Sequence, residues 1–159
     1  MVMRSDASGR RDRVLAAIEI PALGIWLGAL VGFAFISAPL AFRLVAPLDV
    51  ARFAGLIAGT VADLTVWGYV LGGIAILVAL VRASFAGDRV WDAARIVLVA
   101  IALVLTFYHQ HAVVPAMLAV PDFTSPAYHA LHARSTQIYG AALLCVLAAL
   151  VLAASRRDA

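Results

Sequence analysis

Four long apolar runs dominate the chain, at residues 20–42, 53–81, 96–120 and about 136–154, with short polar stretches between them. Each is close to or longer than the roughly 20 residues that carry a helix across a hydrocarbon core. None alternates polar with apolar residues, which excludes the period-two pattern of a membrane barrel. In lipid an extended backbone would leave its amides unpaired, so each run is expected to be a helix. The pattern predicts an all-α, four-helix transmembrane bundle, with helices at about 16–42, 53–82, 94–119 and 126–155. The last begins ahead of its apolar part because Ser125 followed by Pro126 makes a good N-cap and first helical residue.

Composition agrees with this reading. Of 159 residues, 65% are hydrophobic and 13% charged, whereas a soluble domain is about half apolar and about a quarter charged. Mean hydropathy is +1.01. Lipid must cover this surface, and the length suits one domain, residues 14–155, with polar tails at 1–13 and 156–159. Arg10, Arg11 and Arg13 before the first run imitate a signal peptide, but the run is too long for one, and Pro39 follows the best small-residue site, Ser37-Ala38. It is expected to be a retained helix.

The basic residues set orientation. All 12 are arginines, which with abundant Ala, Val and Leu suggests a GC-rich bacterial genome. One side of the membrane carries Arg4, Arg10, Arg11, Arg13, Arg82, Arg89, Arg95, Arg156 and Arg157; the other carries Arg43, Arg52 and Arg134. The positive-inside rule puts both termini in the cytoplasm of a multi-pass inner-membrane protein. The net charge of +3 is thus spent on topology, and no nucleic-acid partner is expected. The single cysteine, Cys145, allows no intrachain disulfide and no cysteine metal site.

Small residues mark packing faces. Gly24, Gly28 and Gly32 form one stripe, and Gly55 and Gly59 another that continues to Asp63. Gly68 and Gly72 lie about half a turn away from that stripe, so the second helix is expected to touch partners on two sides. Such stripes serve packing first. They also fit a homo-oligomer or docking to another membrane protein.

Ionisable residues inside apolar helices are costly and so are candidates for function. Glu19, at the inner end of the first helix, can reach water or an arginine. Asp63 lies nineteen residues before Arg82, roughly 28 Å along a helix, and His111 sixteen after Arg95, roughly 24 Å. Asp63, His109 and His111 can therefore share a level in the outer half. His109 and His111 point about 200° apart, so only one can face the interior. On the fourth helix His129, His132, Thr136 and Tyr139 follow a 3-4-3 spacing bordered by Ser135. That stripe is expected to face the bundle. The polar cluster thus comprises Asp63, His109, His111, His132, Ser135 and Tyr139. His129 and His132, with His111, are the candidate metal ligands, against a plain reading as hydrated surface histidines.

Three stretches resemble a known family. They are GALVGFAFISAPLAF at 28–42, RFAGLIAG at 52–59 and LHARSTQIYG at 131–140. They are similar to the four-helix membrane family of transmembrane protein 205 and its bacterial relatives. The resemblance covers most of the chain. It implies the four-helix fold and marks Pro39, Phe42, His132 and Ser135. That family often has Asn near the position of Tyr139. It carries no established reaction.

Three functions are open on these residues. One is a small binding or transport protein with a polar His/Asp cluster in the outer half. Another is a non-catalytic accessory or assembly subunit. The last is haem- or metal-dependent redox chemistry, although His111 and His132 differ in depth by about 10 Å and no copper motif is present. An enzyme is disfavoured: there is no phosphate loop, nucleophile elbow or paired acidic motif. Ser135 beside His132 would need a base and a third, orienting group, and the chain shows no clear oxyanion donor.

Overall fold

A computed structural model describes residues 3–46, 48–85, 89–120 and 122–155. The described residues are helical apart from short turns. Helix α1 covers Met3–Gly32, α2 Ala38–Leu44, α3 Val50–Ala83, α4 Arg89–Tyr108, α5 Val114–Leu118 and α6 Pro126–Ser155. Two five-residue π turns, Phe33–Ser37 and His109–Val113, join α1 to α2 and α4 to α5. Four continuous spans result: Gly9–Leu44, Val50–Ala83, Val90–Leu118 and Pro126–Ser155. Helix α1 starts well before its apolar run, through residues expected to form a polar tail. The tail expected at 156–159 lies outside the described residues.

Both π turns have the same cause. Pro39 and Pro115 each come two residues after a π turn. A proline inside a helix offers no N–H and collides with the carbonyl four residues earlier, here those of Phe35 and His111. Widening the helix by one residue relieves that collision. The next N–H then bonds five residues back, Ala38 to the Phe33 carbonyl and Val114 to that of His109.

Two caps start the return helices. The Asp49 carboxylate accepts from the Arg52 N–H at 2.9 Å. Ser125 Oγ accepts from the Tyr128 N–H at 3.2 Å. Each satisfies an amide that the first turn leaves without a helical partner.

The spans form a ring in which α1 packs on α3 and α6, and α4 packs on the same two. The core is narrow. Leu23, Trp26, Leu30, Val99 and Val146 fill it, with Ala75, Ala102 and Ala149 admitting close helix approach. Trp26 sits in a cradle made by two glycines. A Cβ on Gly68 would lie 3.0 Å from Trp26 Nε1, and one on Gly72 2.9 Å from Leu103 Cδ2. Large apolar side chains such as Phe35, Leu77 and Val104 point outward, which suits lipid and would not suit water.

Candidate functional site

Polar groups gather at two levels. The first is at the end of the bundle that holds the chain termini. Glu19 Oε2 accepts from Arg82 Nη1 at 2.7 Å and from Arg95 Nη1 at 3.0 Å. Arg95 Nη2 also pairs with Asp92. Every one of these side chains is buried, and they join three spans. Two carboxylates and two guanidiniums balance one another, which a low-dielectric site demands. Arg82 and Arg95 entered the sequence reading as topology markers. The i, i+3 spacing of Asp92 and Arg95 was the available sign that they also pair inward.

The second level lies toward the loops at 45–49 and 119–125. His109 opens the π turn of the third span and is buried. Its Nε2 lies 2.7 Å from Ser135 Oγ on α6. Either group can donate, depending on which ring nitrogen holds the proton. The Tyr139 ring stands edge-on to the His109 ring at 6.0 Å and touches Phe33, in the other π turn, at 5.9 Å. Its hydroxyl donates to the Leu30 carbonyl at 3.2 Å. The two π turns therefore flank Tyr139 at one height.

These residues border a small cavity lined by Leu30, Val61, Thr65, Thr106, His109 and Tyr139, among others. Its interior gives about 10 Å³ to the centre of a water molecule, room for about one water. Thr65 donates to the Val61 carbonyl and Thr106 to the Ala102 carbonyl, each at 2.8 Å. Their hydroxyl lone pairs remain as acceptors. The sequence reading missed both threonines as lining residues, since a helical Thr usually bonds back to its own helix. The neighbouring Gln110 Oε1 is buried without a hydrogen-bond partner among the described residues.

The structure thus brings His109, Ser135 and Tyr139 together and leaves the other expected members apart. Asp63 is exposed on the outer face of α3. It shares a level with the histidines but not a side: it falls half a turn from buried Val61 and Thr65. His111 is exposed too and packs on Phe107, ring centres 4.4 Å apart. The stripe on the fourth helix divides. His129, His132 and Thr136 are exposed, and only Ser135 and Tyr139 turn inward. His132 stacks on Tyr128 at 6.2 Å, and Arg134 donates to the Tyr108 hydroxyl at 2.6 Å. The reason is rotation about the helix axis: the packed stripe of α6 runs through Tyr128, Leu131, Ser135, Tyr139 and Ala142, and His129, His132 and Thr136 stand to one side of it. Among the described residues no three His, Cys, Asp or Glu side chains converge as metal ligands would. His129, His132 and His111, the candidate ligand set, do not share a site.

The glycines also divide. Gly68 and Gly72 are buried, whereas a Cβ on Gly24, Gly28, Gly32, Gly55 or Gly59 would meet nothing within 4 Å.

No curated protein and no solved structure matches the chain. A family model does match residues 22–122, from the first span through the loop before α6. It takes in both π turns and His109 and stops short of Ser135. This chain belongs to the family described as domain of unknown function DUF4149.

Proposed function

We propose that the protein is a small binding or transport protein of a bacterial inner membrane, with both termini cytoplasmic, and that its working site is the chamber around His109. The observation that carries this reading is the half-buried His109–Ser135 contact at 2.7 Å, beside a water-sized cavity. An ionisable side chain buried within a membrane span is costly, and such residues mark ion and proton paths. A chamber with room for about one water suits a proton or a water better than a larger solute. Below it, the neutral Glu19, Arg82, Arg95 and Asp92 cluster closes the cytoplasmic end.

The arginine asymmetry supports the orientation. Residues 14–155 make one domain, and 1–13 and 156–159 are its cytoplasmic tails. The resemblance of residues 131–140 to transmembrane protein 205 and its bacterial relatives supports a kinship that extends into α6.

Purified protein in liposomes loaded with a pH-sensitive dye tests the reading. The wild type should dissipate an imposed proton gradient faster than protein-free liposomes, and His109→Gln should lose most of that rate. Equal rates for wild type and empty liposomes would overturn it.

A second reading, an assembly subunit, is favoured by one observation. The glycine faces at Gly28, Gly55 and Gly59 are open. Co-purification of another membrane protein, lost in Gly28→Leu, would support that role.

A further inference from the structure

Asp63 is exposed on the outside of the bundle, deep within an apolar span, and makes no hydrogen bond or ion pair with any described residue. It lies ten residues from Phe53 and eighteen from Val81, the ends of its apolar run, well inside the half of the span nearer Phe53. A carboxylate there would face lipid tails unless something covers it.

The next helix in the ring carries the complementary group. Arg82 and Arg95 meet on one oxygen of Glu19, so α3 and α4 are in step at that level. Counting from them, Asp63 stands roughly 28 Å up and His111 roughly 24 Å up, less than one turn apart. His111 is likewise exposed. One turn toward the termini end, each helix shows an aromatic residue, Trp67 at 61% and Phe107 at 56% exposure. One turn the other way, each shows a compact one, Gly59 and Pro115, both exposed. The two faces carry the same succession of layers at the same depths.

We propose that a second copy of this chain covers this face. A two-fold axis along the membrane normal keeps every depth and sets the second span of one copy against the third span of the other. Asp63 then meets His111 of the second copy, and His111 meets Asp63. Such an interface is self-complementary, as a two-fold requires. An imidazole N–H donates to the carboxylate whichever group holds the mobile proton. Gly59 admits the close approach, since a Cβ there meets nothing within its own chain. A different membrane protein would have to bring both a donor for Asp63 and an acceptor for His111 at one depth. The second copy brings both already. This inference uses no residue of the His109 chamber.

Crosslinking in native membranes tests it. Two differently tagged chains, both carrying Cys145→Ala, are co-expressed, one with Asp63→Cys and the other with His111→Cys. A short thiol-to-thiol crosslinker should yield a mixed dimer, with little product from either variant alone. Adding Gly59→Leu to both chains should cut the mixed product severalfold. Absence of the mixed product, while each cysteine still reacts with a small maleimide, would overturn the proposal. A strong Asp63→Cys self-dimer would overturn it as well, because α3 would then face α3. So would a crosslink to a different protein, or a single-chain mass for the wild type in lipid nanodiscs.

Discussion

Arg82 donates to Glu19 Oε2 across 2.7 Å, and this one contact clasps the first two spans at the termini end of the bundle. Arg95 takes the same oxygen at 3.0 Å and brings in the third span. Glu19→Ala would leave both arginines buried without their shared partner. Breaking one side of a buried ion pair costs about 3–5 kcal/mol. Chemical unfolding in mild detergent should show a loss of that size, and a change under about 1 kcal/mol would mean that the cluster is solvated.

The two kinds of glycine should respond in opposite ways. Gly68→Ala places a Cβ 3.0 Å from Nε1 of the fully buried Trp26 ring, and overpacking of this kind costs about 1–3 kcal/mol. Gly28→Ala meets open space and gains up to about 1 kcal/mol of helix propensity. Thermal unfolding of the two variants side by side measures the difference. Equal midpoints would contradict the cradle around Trp26.

Pro115 holds the π turn that begins at His109. Pro115→Ala restores an N–H, so the turn can relax to α geometry and rotate the residues on one side of it by about 100°. Proton flux in liposomes should fall severalfold while the protein stays folded. Unchanged flux would separate the π turn from the chamber's work.

Topology is open to a direct check. Cysteines are introduced as Arg10→Cys and, separately, Asp49→Cys, in a Cys145→Ala background. A membrane-impermeant maleimide on intact cells should label only the Asp49→Cys chain. The opposite labelling would invert the orientation given by the arginine count.

Asp122 sits in the loop before α6, outside the spans. Its Oδ1 accepts from the Thr124 hydroxyl at 2.7 Å and the Thr124 N–H at 2.8 Å. These bonds favour the ionised form and hold the carboxyl below the usual carboxylate range. A lowered folded value means that the turn's contribution is full above the ordinary range and fades as pH falls through the lowered one. Carbon-13 titration of the carboxyl should show the depressed midpoint, and Thr124→Val should return it toward normal.

Local rules account for much of what the chain alone made legible. Span number followed from apolar length, because lipid leaves the backbone no alternative to helix. Capping chemistry is equally local, as at Ser125 and Pro126. The sequence also limited His109 and His111 to opposite sides, since two residues of helix turn through about 200°. It could not say which of the two faces inward. Gly55–Gly59 and Gly68–Gly72 were equivalent patches in one dimension, and only the arrival of Trp26 on one of them separated them. Helix rise groups Asp63 with the histidines, yet it stands on the outer face of α3.

The chain by itself thus determined depth, span number and the chemistry available at each level, because rise per residue and the cost of bare amides in lipid are properties of a single helix. Tertiary structure decided direction: that Glu19 gathers Arg82 and Arg95, that Ser135 rather than His132 reaches His109, and that Asp63 looks outward. Rotation about a helix axis costs an isolated apolar helix almost nothing in lipid. It is set only when neighbouring spans close around one another and choose which stripe of each they bury.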